Sequence, residues 1–117
     1  EHRRAGYTER VLPRGLVIVE GILALHWEEL RRIYDFSIFV RTADSLCLDR
    51  RMSRDIEERG RTPACVMRQY EATVRPMAER YVLPTGRHAD LILDGDADIR
   101  QNVDRVEHAL AGVLTAL

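Results

Sequence analysis

The chain alternates between short apolar runs and longer stretches of helical period. Leu16-Val17-Ile18-Val19 is continuous and mostly β-branched, as in a parallel strand covered on both faces. Compact apolar runs over 36–40 and 89–93 predict two further strands. Helical patterns fill the intervals. Residues 22–33 suit a short helix around Trp27, with Glu28 and Glu29 spaced to pair with Arg31 and Arg32. Thr42 or Asp44 can cap the next helix, which carries Leu46, Leu48 and Met52 and stops near Gly60. Thr62-Pro63 restarts a helix with a cap and a first-turn proline, and Val66, Tyr70, Thr73 and Met77 keep its period to Pro76 and slightly beyond. After a break at Leu83-Pro84-Thr85-Gly86, a covering helix over about 99–117 aligns Val103, Val106, Leu110 and Val113 on one face. Strands alternating with helices predict an α/β fold with a mainly parallel sheet, forming one domain or part of one.

Onto this frame the sequence hangs one concentrated stretch of charge. From Arg50 to Arg61, five arginines occupy twelve positions, and Arg51, Arg54 and Asp55 recur at three- and four-residue spacing on one helical face. Guanidinium is planar, always charged and able to bind two anionic oxygens at once, which suits a clamp on a transferring phosphoryl group. The alternative is a solvated helix whose arginines are balanced by Asp55, Glu57 and Glu58. Glu20 and Gly21 directly follow the first expected strand. An acid at the carboxyl end of a buried parallel strand lies where α/β sheets bind ligands, although a surface turn would also carry one. The first 13 residues read as a loop or tail, with His2 and Arg4 as their only features.

Composition narrows the chemistry. The 18 basic and 19 acidic residues leave a formal charge of −1, so no global field draws the chain to nucleic acid or an anionic membrane. An anion site has to be local. No aromatic residues interleave with the arginines, which argues against stacking on RNA bases. Every basic residue is arginine, so the lysine of a GxxxxGK[ST] phosphate loop is absent from these 117 residues. Cys47 and Cys65 lack metal-site spacing and read as small core residues. The acidic turn Asp94-Gly95-Asp96-Ala97-Asp98 lacks the twelve-residue pattern of a calcium loop. No apolar run reaches the length of a spanning helix and no secretory pattern opens the chain, so a cytoplasmic setting is expected.

Taken together, Val19-Glu20-Gly21-Ile22-Leu23, Ile38-Phe39-Val40, Arg50-Arg51 through Arg54-Asp55-Ile56, Glu58-Arg59-Gly60-Arg61, Gln69-Tyr70, Val74-Arg75-Pro76, Leu83-Pro84-Thr85 and Ala89-Asp90 resemble the uridine kinase family in order and spacing. These enzymes stand with phosphoribulokinases among the P-loop kinases. They pass the γ-phosphate of ATP, or sometimes GTP, to the 5′-hydroxyl of uridine or cytidine. The resemblance implies that His2, within the family's His-x-Arg loop, reads the pyrimidine edge, and that Arg51, Arg61 and Gln69 hold the nucleoside. It implies that Arg54 and Arg59 are lid arginines closing on the ATP phosphates, that Glu20 helps hold Mg²⁺, and that Asp98 borders the nucleotide base. Three positions depart from the family pattern: Cys47 stands for a usual arginine, Arg41 for a common aspartate and Ile99 for a usual asparagine.

By the same resemblance, the first strand, the phosphate loop with its lysine, and two aspartates that serve the 5′-hydroxyl and the ribose lie outside this chain. Residues 1–117 are therefore expected to be the carboxyl-terminal portion of a uridine kinase-like domain, with lid helices over about 43–80. Its sheet would lack its middle strand, and the piece alone would be inactive. An N-terminal segment would supply the phosphate loop, and a homo-oligomer is expected. A phosphoribulokinase-like portion acting on a sugar phosphate is the second enzyme reading. A kinase-like module that binds a partner through unpaired strand edges is the non-enzyme reading.

Overall fold

The computed structural model describes residues 6–116. Its regular elements are α1 (Glu28–Arg31), β1 (Ile38–Arg41), α2 (Asp44–Glu57), α3 (Pro63–Gln69), α4 (Arg75–Met77), β2 (Leu91–Asp94) and α5 (Ile99–Ala116). β1 and β2 pair in parallel, with Ile38 opposite Leu91 and Arg41 opposite Asp94. The register is pinned where the strands begin. Asp90 Oδ2 accepts from the Ser37 backbone N–H at 2.8 Å and from its hydroxyl at 3.0 Å, while Asp90 N donates to Ser37 O at 3.0 Å.

At the other end of the strands, Gly95 N donates to Arg41 O at 2.8 Å. A Cβ on Gly95 would lie 2.0 Å from Thr42 Oγ1, so glycine alone permits this approach. Arg50 Nη2 reaches Gly95 O at 3.1 Å, tying α2 to the carboxyl edge of the sheet. The arginine helix thus leaves the sheet on the side where α/β folds bind ligands.

Thr62 caps α3, its hydroxyl accepting from Cys65 N at 3.2 Å, and Pro63 occupies the first turn. Beyond α3 the same arm runs through π-turns at Tyr70–Val74 and Ala78–Val82 and a 3₁₀ turn at Leu83–His88. Each π-turn ends two residues before a proline, Pro76 or Pro84. Proline has no N–H for the normal i−4 bond and its ring crowds that carbonyl, so the preceding turn widens. Asp98 begins α5 by accepting from Arg100 N at 2.7 Å. Asn102 and Arg105 then dock the helix on β2 through the carbonyls of Asp94 and Ile92.

Several sequence expectations need correction. Leu16–Val19 forms no strand and is exposed throughout, from 55% at Val19 to 79% at Ile18. A strand exists only when its backbone groups find a partner, and among the described residues none lies alongside. The helix expected over 22–33 shrinks to the four residues of α1. Neither Thr42 nor Asp44 caps α2: Ala43 holds that position without a side-chain bond, and Asp44 lies in the first turn. Cys47 is exposed and Cys65 only half-buried, so neither is a core residue. Leu25, Val66, Tyr70 and Leu93 are the buried hydrophobic residues among those described.

Candidate functional site

The site is assembled by the end of α2. Arg51 and Asp55 share one face of α2, and Arg59 follows at the same four-residue interval in the turn just past the helix end at Glu57. Gly60 then takes a φ of +61°, which reverses the chain after the helix. The turn brings Arg61 back, its N–H donating to Asp55 O at 3.0 Å. Four guanidiniums consequently surround one carboxylate.

Asp55 is completely buried. Its Oδ1 lies 2.9 Å from Arg54 Nη2, 3.0 Å from Arg54 Nε and 3.5 Å from Arg59 Nη1. Its Oδ2 lies 3.4 Å from Arg61 Nη1 and 3.6 Å from Arg51 Nε. Arg61 Nη1 also donates to Gln69 Oε1 at 2.6 Å, joining α3 to the cluster. Burial by itself would push the Asp55 carboxyl up; the Arg54 hydrogen bond and the charges of Arg54, Arg51 and Arg59 outweigh it and hold it below the ordinary aspartate value. Asp55 is therefore ionised near neutral pH, and one negative charge faces four positive ones. The arginines keep 23–50% of their side-chain surface in solvent, so they can reach an anion without leaving Asp55. Arg51 Nε is buried without a hydrogen-bond acceptor.

Beside Arg51 and Arg54 a cavity of about 530 Å³ opens between α2 and the α3–α4 arm, within the size range of small-molecule sites. Asp44, at the start of α2, also lines it, facing Tyr70 and Arg75 of the arm. The Tyr70 hydroxyl and Arg75 Nε both donate to the Asp44 carboxylate, the latter at 3.0 Å. Burial, followed by the neighbouring Asp44, pushes the Tyr70 phenol up to about 12. Asp44 itself is lowered, first by the Tyr70 hydrogen bond and then by Arg75.

The structure brings together Arg51, Arg54, Arg59, Arg61 and Gln69 from the sequence-predicted set. Glu20 lies in the exposed irregular stretch and has no ion pair among the described residues. Asp98 is engaged in capping α5. His2 lies outside the described residues. The sequence placed Asp55 on one face with Arg51 and Arg54, with a balancing surface acid as the alternative; its place at i+4 from Arg51 and i−4 from Arg59 was the available signal for a hub. The Asp44–Tyr70–Arg75 contact joins residues 26 and 31 apart in sequence and had no local signature.

The profile of the Phosphoribulokinase / Uridine kinase family matches residues 1–99. The chain is 40% identical over 114 residues to a uridine kinase of Vibrio atlanticus, covering 97% of this chain and 54% of that protein. It is 42% identical over 104 residues to a uridine kinase of Ligilactobacillus salivarius, covering 89% and 49%, and 44% identical over 93 residues to one of Tolumonas auensis, covering 80% and 44%. The chain spans about half the length of the curated relatives it matches. With its arginine cluster, its parallel strand pair and a profile match across most of its length, the chain belongs to the phosphoribulokinase/uridine kinase family.

Proposed function

We propose that the chain is the nucleoside-holding and phosphate-clamping portion of a pyrimidine nucleoside kinase, which transfers the γ-phosphate of ATP or GTP to the 5′-hydroxyl of uridine or cytidine in pyrimidine salvage. The observation that carries this reading is the convergence of Arg51, Arg54, Arg59 and Arg61 on Asp55, with Gln69 attached through Arg61. Phosphoryl transfer passes through a loose state whose charge sits on peripheral oxygens, so positioned cations do much of the work. In this reading Arg54 and Arg59 close on the triphosphate and exclude water. Arg51, Arg61, Gln69 and His2 hold the nucleoside, and Asp98 borders the donor base.

Among the described residues no three His, Cys, Asp or Glu side chains gather into a metal cage. Mg²⁺ is ordinarily held by phosphate oxygens and water with only one or two carboxylates, so Glu20 suffices as this chain's ligand. The ion would neutralise phosphate charge. The phosphate loop would come from an N-terminal segment or a partner chain, and the isolated 117 residues would not turn over ATP. A homo-oligomeric, cytoplasmic enzyme fits the reading; among the described residues, no helix is long and apolar enough to cross a membrane.

The test is an assay of the natural gene product with ATP, Mg²⁺ and uridine, run beside this chain alone and beside Arg54→Gln. Activity in the natural product, silence in the chain alone, and a loss on the order of 100-fold or more in Arg54→Gln are expected. Phosphorylation of ribulose 5-phosphate in preference to uridine would replace the nucleoside reading with the sugar-phosphate one. A natural product inactive on both would leave the partner-binding module.

A further inference from the structure

Asp55 stands within a motif that carries the resemblance but was assigned no role by it, yet all four arginines of the cluster touch it. We propose that Asp55 is a positioning residue whose two carboxylate oxygens set the phosphate-side arginines against the nucleoside-side arginines, an inference that rests on the kinase reading of those four side chains. The geometry divides them by role. Oδ1 takes Arg54 at 2.9 Å and Arg59 at 3.5 Å, the pair assigned to the triphosphate. Oδ2 takes Arg61 at 3.4 Å and Arg51 at 3.6 Å, the pair assigned to the nucleoside. One rigid carboxylate, with its oxygens a fixed distance apart, therefore spaces the two subsites.

Burial explains why Asp55 acts through other groups. Its side chain is fully enclosed, whereas all four partners reach solvent, so a ligand meets guanidiniums and not the carboxylate. Four like charges at the end of one helix repel one another, and without an internal anion each would swing into water. A single carboxylate restrains them and still leaves three positive charges unbalanced for an incoming polyanion. Arg51 Nε, buried and 3.6 Å from Oδ2, is too distant for a hydrogen bond and retains a donor. The link from Arg61 to Gln69 carries the same alignment from α2 to α3.

Asp55→Asn in the natural gene product keeps the side chain's size and one acceptor oxygen while removing its charge. Two readouts separate positioning from plain stability. Hydrogen exchange at the guanidinium N–H groups that face Asp55, followed by NMR, needs no substrate. Exchange at Arg54 Nε–H and at the Nη–H groups of Arg59 and Arg61 is expected to quicken together by roughly tenfold or more, on the scale of a charged hydrogen bond, while β1 and β2 amide signals stay in place. In steady-state assays kcat is expected to fall roughly 100-fold, as a displacement near 1 Å would produce, with any mutual tightening of uridine and a non-hydrolysable ATP analogue lost. Release of Arg54 alone, or an activity loss that tracks only the folded fraction, overturns the proposal. Should Asp55→Asn not fold, Asp55→Glu keeps the charge but moves it by one methylene; full activity there overturns the proposal equally. A wild-type protein that phosphorylates neither uridine nor cytidine defeats the kinase reading instead, and the exchange measurement still decides whether Asp55 holds both pairs.

Discussion

At the scale of single residues, the wall opposite the arginines depends on a tyrosine kept protonated. Tyr70 is 4% exposed and donates its hydroxyl to Asp44, which also accepts from Arg75. Ionising the phenol would bury one anion beside another, so burial first and Asp44 second raise its pKa from 10.0 to about 12. Since the folded state holds this proton more tightly than the unfolded chain, the contribution is complete below pH 10.0 and is lost as pH rises through about 12. Asp44 runs the opposite way. Its lowered pKa stabilises the fold above the ordinary value of 3.8, and that contribution disappears as pH falls through the lower folded value. Urea midpoints measured across the alkaline range should therefore fall between pH 10.0 and about 12 in the wild type. Tyr70→Phe should lose about 1 kcal/mol at neutral pH from the missing hydrogen bond and flatten that alkaline decline. Equal alkaline slopes in the two proteins would mean that Tyr70 ionises without cost.

Among the elements, the junction at the carboxyl ends of β1 and β2 decides where α2 points. Gly95→Ala would place a methyl 2.0 Å from Thr42 Oγ1 and 3.1 Å from Thr42 Cβ. Rotating the β-branched Thr42 moves Oγ1 but leaves its Cβ and Val40 Cγ1 close to the methyl, so a loss of about 1–3 kcal/mol is expected. Loosening of the Arg50 contact to Gly95 O should accompany it; an unchanged thermal midpoint would show that the strand ends yield freely. This junction also marks the limit of what sequence reveals. Local signals were legible: the Thr62-Pro63 cap, the stop at Gly60, the period of α5 and the arginine face all rest on neighbours within a turn. The parallel sense of the sheet followed from the alternation of strands and helices, while the partner and register of each strand did not. Leu16–Val19 misled because β-branched composition records a partner that the strand needs without supplying it. Asp55 was only half legible: its spacing put it on the arginine face, but a solvated acid stayed open as the alternative, and only the return of Arg61 past Gly60 closes the cage around it.

For the whole molecule, the exposed apolar surface sets the behaviour. The radius of gyration is 17.0 Å, against about 13 Å for a compact domain of this length. Leu16, Val17, Ile18 and Val19 are at least 55% exposed, and among the described residues β1 and β2 pair only with each other, leaving their outer edges open. An uncovered β-branched run and open strand edges are each a template for pairing with another chain. Unfolding such an open structure exposes less new surface than unfolding a compact one, and the urea m-value scales with that surface. The isolated chain should therefore give an m-value below that of a compact domain of equal length, bind a hydrophobic dye while folded, and associate as its concentration rises. Charged substitutions at Val17 and Val19 should reduce association while leaving α2 and the arginine cluster intact, because neither residue contacts them through a hydrogen bond or ion pair among those described. A monomer at high concentration with a full-sized m-value and no dye binding would mean that the apolar stretch finds cover within the chain, and the case for a separate segment completing the sheet would fall with it.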